Sequence, residues 1–425
     1  MEINLSPEEI QHILDKDFYH PSLAEIEREL DARKSKTSDE LTRDETLWQV
    51  IRNHFLIHPH LINLNNGAVS PQPFFVQEMQ FKLTQFFNQL PGYYYFAYPD
   101  LGREEVRKML AETGGCEAEE IAICRNTTEA YANVVSGLDL KAGDEIILSG
   151  VEYPKMISMW KLRAERHHLK LVWLDFHLPQ ENVNYFIDKY INSITEKTRV
   201  IHIGHMINWV GQLLPVKEII RAIRQKKQDV EIVLDSAHTY AQFEFSFRDL
   251  DCDYAGVSLQ KWLNAPFGTG LLFVKKEKIA SLLPIFAGDT PHDNDIRKFE
   301  KQGTRSLATE IAIGFSCRLH NLITTRLKHD RLMYLRDYWV NKVKHLPKIK
   351  FHSPLHPDFS GSLCAISIDG ITPAGLEDIL LKKYSFHVVG FDVANLHAVR
   401  ITPGIYTSLA ELDILVAALT ELASS

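Results

Sequence analysis

The sequence predicts an α/β protein, with a large domain built on a mostly parallel sheet flanked by helices and a smaller C-terminal α/β domain after it. Two observations lead there. Downstream of about residue 62, short runs that are apolar at nearly every position alternate with helical stretches, as strands buried on both faces require. After about residue 310 that texture gives way to a long helical stretch, three further strand-like runs and a last helix.

Residues 1–60 are charged and helix-like. "SPEEIQHILDK" offers Ser6 as an N-cap, Pro7 at the first helical position and Glu9 three residues after the cap. This helical preamble is expected to pack with the small domain. Residues 61–310 form the large domain, with strands expected at "EIAICR", "DEIILSG", "LKLVWLD", "TRVIHIGHM", "VEIVLDSAH", "YAGVSL" and "GTGLLFVKK". Residues 311–425 form the small domain. It opens with one long helix reaching "NKV" and continues through "GSLCAISIDG", "HVVGFD" and "HAVRITPG" to "SLAELDILVAALTEL".

Composition removes several function classes. The chain of 425 residues has a formal net charge of -8 and no Lys/Arg tract of the kind that tracks phosphates, which argues against a nucleic-acid partner. No segment has the roughly 18 apolar residues of a membrane span, and "MEINLSPEEI" lacks the basic start of a signal peptide, so a cytoplasmic location is expected. The five cysteines stand far apart, which suits a reducing compartment and argues against a thiolate metal cluster.

Ligands of open α/β sheets sit at the carboxyl ends of the strands, so the polar residues that follow each apolar run are the candidates. Asn126, Thr127 and Thr128 open a helix whose N-terminus suits a phosphate. Tyr153, beside Glu152, follows "DEIIL" and offers a flat ring to a bound ring. His205 and Asn208 follow the next strand. Asp235 ends "VEIVLD", where a carboxylate is costly unless it faces a cation, and His238 lies three residues on. Lys261 ends "YAGVSLQK" among Leu259, Trp262 and Leu263, whose apolar surroundings lower an amine's pKa and free its lone pair. A phosphate cradle, an aromatic plate, a strand-end aspartate and a desolvated lysine together describe a site for pyridoxal 5'-phosphate.

With "LNNGAVSP", "RNTTEAYANVV", "GVEYPKM", "HMINWVGQLLPV", "LDSAHTYAQF", "VSLQKWLNAPFGTGLLFV", "KQGTR" and "VRITPGIYTSLAELD" in this order, the chain resembles the fold-type-I pyridoxal phosphate enzymes of aminotransferase class V. Within them it resembles the isopenicillin N epimerase-like branch, which is related to cysteine desulfurases and selenocysteine lyases, over about residues 62–420. The resemblance implies a seven-stranded sheet, Lys261 as the Schiff-base lysine and Asp235 as the partner of the pyridine nitrogen. It implies His238 at the cofactor's phenolic oxygen, Asn208 as a second polar contact and Tyr153 stacked on the ring. Thr127, Thr128, Ser258 and Gln260 match phosphate-binding positions. Thr304, after Gly303, matches a residue that reaches the phosphate of a neighbouring subunit, which implies a homodimer with shared sites. Arg400 matches the arginine that takes the substrate's α-carboxylate, and Asn66 a loop near the substrate.

The activity so implied is an epimerase or aminotransferase acting on a small amino-acid-like substrate. The alternative within the resemblance is a cysteine or selenocysteine lyase, and a non-catalytic binder of the cofactor is a third reading. Desulfurases carry a reactive cysteine on a mobile loop. The nearest candidate here, Cys364, lies in the strand-like "GSLCAISI" and reads as a small buried hydrophobe. Tyr93 to Tyr98, in "GYYYFAYPD", suit either a substrate channel or an interface.

Overall fold

The computed structural model describes residues 6–98, 100–286 and 288–424; the acidic lead at residues 1–5 lies outside the described residues. All seven apolar runs of the large domain are strands: β1 (Ile121–Cys124), β2 (Glu145–Ser149), β3 (Lys170–Leu174), β4 (Thr198–Gly204), β5 (Glu231–Asp235), β6 (Tyr254–Ser258) and β7 (Gly270–Val274). They form one sheet in the order β1-β7-β6-β5-β4-β2-β3. Only β7 runs against its neighbours.

Alternate residues of each strand feed two cores. Ile123, Ile147, Ile201, Ile232, Val257 and Phe273 point to one side, and Cys124, Leu148, Val200, Val233, Tyr254 and Leu272 to the other. Burial on both faces is the reason these strands read as unbroken apolar runs. Helices close the faces, among them Thr127–Gly137 and Pro154–His167. Gly256 of β6 has no room for a side chain, because a Cβ there would come within 2.8 Å of the Tyr131 ring on the Thr127–Gly137 helix.

The register brings the site ends level. Gly204 pairs with Asp235, Asp235 with Gly256, Ser258 with Gly270, and Gly270 with Cys124. Strand order reverses where β4 returns beside β2, and a crevice opens at such a point beyond the carboxyl ends.

The small sheet is antiparallel, with Cys364–Ile368 between Ile349–Phe351 and Leu396–Ile401, and Val389–Val393 at its edge. The single long helix expected before it is two helices, Leu307–Ile323 and Thr325–Val343. Thr324 between them takes φ 69° and ψ 150°, and its side chain caps the second helix at Leu327 N–H. A β-branched residue with positive φ is rare, and no glycine or proline announces the break.

The first helix carries the expected capping box, with Ser6 and Glu9 bonding each other's backbone N–H. Ile10, Leu14, Phe18, Ile26 and Trp48 of the amino-terminal segment join the core on one face of the large sheet. The segment also reaches the C-terminal region: Arg52 forms a two-pronged ion pair with Glu411, and Arg331 donates to Thr42 O. No helix among the described residues is long and apolar enough to cross a membrane.

Buried Glu300 ties the segment bearing Thr304 to the sheet. Its carboxylate pairs with Arg103, Arg107 and Arg305 and accepts Ile123 N–H at 2.7 Å. Removing the Glu300 charge leaves Glu104 and Glu310 to balance three buried or half-buried guanidiniums. Glu300→Gln is expected to cost about 3–5 kcal/mol, read as a fall in the urea unfolding midpoint; a midpoint within error of the parent would contradict this account.

Candidate active site

A cavity of about 380 Å³ opens at the carboxyl edge of the large sheet. It gathers Thr127, Thr128, Tyr153, Asn208, Asp235, His238, Ser258, Gln260, Lys261 and Arg400, residues spread over more than 270 positions of sequence. Asp235 and Ser258 are the last residues of β5 and β6, and Thr127 begins the helix after β1.

Lys261 sits on the turn after β6, above buried Leu259, Trp262 and Leu263. Hydrogen bonds clamp that turn from several sides. Ser70 N–H donates to Gln260 O at 2.9 Å, Asn264 Nδ2 to Pro71 O at 3.1 Å, and Ser316 Oγ to Asn264 O at 3.2 Å. Buried Lys328 donates its Nζ to Trp262 O at 2.7 Å.

Lys261 Nζ lies 2.9 Å from His238 Nε2. Burial lowers the lysine to about 8; the Asp235 carboxylate opposes the fall, and Arg400 adds to it. His238 is held well below its usual value by burial and then by the cations Lys261 and Arg400, so it is a neutral imidazole. Asp235 is pushed up by burial, against the pull of Lys261 and of the Ala237 N–H it accepts at 2.9 Å. The site therefore holds a weakened base and a carboxylate short of positive charge.

On the opposite side, Ser258 Oγ lies 2.7 Å from Thr127 Oγ1 and accepts Thr127 N–H at 3.0 Å. Gly270, the partner of Ser258, allows the helix start to approach: a Cβ there would lie 2.6 Å from Asn126 Cα. Thr128 is exposed at the cavity edge. Gln260 Oε1 and His238 Nδ1 are buried without a hydrogen-bond partner, as is Arg400 Nε. Trp209 Nε1, on another cavity-lining residue, is buried and unpartnered as well; buried polar atoms are ordinarily satisfied, and such a group of them around one cavity fits a site for a polar ligand.

Arg400 is buried on the strand Leu396–Ile401, where burial lowers its pKa to about 10. Its Nη1 donates to Asn208 O at 2.7 Å and its Nη2 to Asn65 Oδ1 at 3.0 Å, and among the described residues no carboxylate pairs with it.

Three sequence candidates lie elsewhere. Asn66 turns behind the site, where its side chain donates to Thr402 O at 3.0 Å and accepts from Tyr406 Oη at 2.6 Å; its neighbours Gly67, Ala68 and Val69 line the cavity. Thr304 lines a separate hollow with Cys124, Arg125 and Phe267. His205 is internally satisfied, 3.0 Å from Thr239 Oγ1, and burial takes it down to about 3. Tyr153 stands at the rim, 41% exposed. Cys364 is fully buried in its strand, and burial pushes its thiol up to about 12.

Two residues of the site carried no assigned role in the sequence. Asn65 holds Arg400. Glu152 lines the cavity, accepts Gly204 N–H at 3.1 Å and is pushed up to about 8, by burial first and then by Asp235. Its position next to Tyr153 was the available signal.

The fold and this strand-edge arrangement define a three-layer α/β protein with a lysine and an aspartate at the sheet's carboxyl edge. The chain belongs to the aminotransferase class-V family, whose model matches residues 100–415. It is 26% identical to the isopenicillin N epimerase of Streptomyces clavuligerus over 397 residues, covering 88% of this chain and 98% of that protein. Among solved structures it resembles the apo cysteine desulfurase of Thermococcus onnurineus NA1, with a TM-score of 0.76 and 20% identity over 88% of this chain and 97% of that one. It also resembles a C-DES variant with glycine covalently linked to its PLP cofactor, with a TM-score of 0.77 and 20% identity over 87% and 99% of the two chains.

Because Lys261 falls below the usual 10.5, between about 8 and 10.5 the unfolded chain holds a proton that the folded chain lacks, and stability rises with pH over that window. Below it the buried ammonium carries its full penalty. Lys261→Met is expected to stabilise the cofactor-free protein by about 1–3 kcal/mol at pH 7. A melting temperature equal to or below that of the parent would count against the desolvated lysine.

Proposed function

We propose that the protein is a pyridoxal 5'-phosphate enzyme acting at the α-carbon or amino group of an amino acid or amino-acyl compound, of the epimerase or aminotransferase kind. One observation carries this reading: a buried arginine with no carboxylate partner among the described residues faces the same cavity as a desolvated lysine.

The residues fit the cofactor. Lys261 is placed to join its aldehyde, and the Thr127–Ser258 pair, Thr128 and Gln260 to hold its phosphate beside a helix start. Asp235, raised by burial, would gain the positive charge it lacks from a protonated ring nitrogen. His238 would meet the cofactor's phenolic oxygen, Asn208 would add a polar contact and Tyr153 would cover the ring. When bound, the cofactor supplies an electron sink that acidifies the substrate's Cα–H.

Arg400 grips the α-carboxylate through two parallel hydrogen bonds and so fixes the direction of the Cα–H bond. Lys261, free again as an amine once the substrate's amino group has taken its place, would take that proton, and its lowered pKa leaves it a neutral base near pH 8. The position to which a proton returns decides between epimerisation and amino transfer. A desulfurase-type lyase needs a thiol within reach, and none of the five cysteines lines the cavity. Thr304, outside the cavity of its own chain, suits a homodimer in which it serves the partner's site. We further place the protein in the cytoplasm and divide it into an amino-terminal segment to 60, a cofactor domain to 310 and a small domain beyond.

Borohydride reduction of the yellow holoprotein is expected to leave the pyridoxyl mass on Lys261 and on no other lysine. Cofactor uptake by the apoprotein should quicken with pH up to about 8 and then level, since only the neutral amine attacks. A rate independent of pH would overturn that role. In deuterated water the holoprotein should exchange the Cα proton of at least one member of an amino-acid panel, and Cys364→Ser should exchange at the same rate. An absence of exchange across the panel would sink the enzymatic reading.

A further inference from the structure

Arg400 is oriented by two oxygens that carry no formal charge, the carbonyl of Asn208 and the side-chain amide of Asn65. Guanidinium groups only donate, so the contact at 3.0 Å fixes Oδ1 of Asn65 toward Arg400. The other end of the amide, Nδ2, therefore faces His387 Nε2 at 3.3 Å, and that ring nitrogen must accept. Three chain segments are joined in this way. The backbone around Asn65 is pinned as well: Asn65 bridges to Thr402, Thr402 N–H donates to Leu64 O, and Asn65 N–H donates to Asn63 Oδ1 at 3.1 Å. Asn65 is 9% exposed, so its amide has little freedom to turn.

We propose that Asn65 is the positioning residue for the substrate carboxylate: it holds Arg400 in place with a dipole and leaves the guanidinium's charge unspent for the incoming anion. A carboxylate at the same position would hold the arginine equally well in space but would neutralise it. Asparagine and aspartate have nearly the same shape, so exchanging one for the other changes chiefly the charge beside Arg400. This inference rests on the reading of Arg400 as the carboxylate grip.

The test uses the pyridoxal 5'-phosphate holoprotein and two oxyamines that condense with a bound aldehyde, aminooxyacetate and O-methylhydroxylamine. Only the first carries a carboxylate. The ratio of their second-order rate constants, followed at the cofactor's visible band, cancels whatever the two reactions share. The parent protein is expected to favour aminooxyacetate, and Arg400→Met to lose that preference. Asn65→Ala should lower the ratio at least tenfold, and the isosteric Asn65→Asp should lower it further. A general loss of structure would slow both probes together and leave the ratio standing, which would count against the proposal. If Arg400→Met loses the preference while both Asn65 variants keep it within twofold of the parent, the role of Asn65 is overturned and that of Arg400 survives. If the parent shows no preference, or Arg400→Met keeps it, the carboxylate reading of Arg400 fails and this inference falls with it.

Discussion

Everything at the site depends on keeping an amine partly desolvated at the edge of a buried parallel sheet. A lysine ammonium in water is of no use as a nucleophile or base near neutral pH; lowered to about 8, Lys261 becomes one. That requires an apolar floor, which Leu259, Trp262 and Leu263 supply, and a turn that cannot swing the side chain into solvent. Gln260, Trp262 and Asn264 are each held through a backbone carbonyl, by donors from the 70–71 loop and from the two helices after residue 306. Lys328 bears part of the cost: its Nζ is buried where it donates to Trp262 O, and that burial lowers it to about 7.

Charge is distributed with the same economy. The structural arginines Arg103, Arg107 and Arg305 meet at Glu300 and are balanced together with Glu104 and Glu310. In the cavity Lys261 and Arg400 stand without a direct carboxylate contact, and Asp235 and Glu152 are both raised by burial. A cavity that holds unpaired cations on one side and an under-compensated carboxylate on the other suits a ligand carrying anionic groups and a protonatable ring. The stability given up there is recovered in the sheet cores, where residue after residue is fully buried.

Strand ends were legible because burial on both faces leaves a continuous apolar run, and the first polar residue after such a run stands at the cavity. Asp235 and Lys261 were found by that reading of strand ends, and Ser258 came with the family resemblance. The break at Thr324 was not, because the local "LITTRL" holds no glycine or proline and reads as unbroken helix, while the residue takes a positive φ. Asn66 and Thr304 show the limit of carrying a role over by position. One residue's difference along a loop puts Asn65 on Arg400 and turns Asn66 to Tyr406, and Thr304 faces a hollow away from its own chain's cavity.

The sequence by itself determined the sheet, the lysine, the aspartate and the family, since each is written in local pattern: runs of apolar residues, their polar ends, and motifs in fixed order. The tertiary structure alone decided how Arg400 is held. Its tether, Asn65, is 335 positions away, and the residue that orients the tether, His387, is 322 positions from Asn65. Hydrogen bonds between segments that distant leave no periodicity or spacing behind, because they depend on where the folded backbone brings two side chains and not on what lies between them.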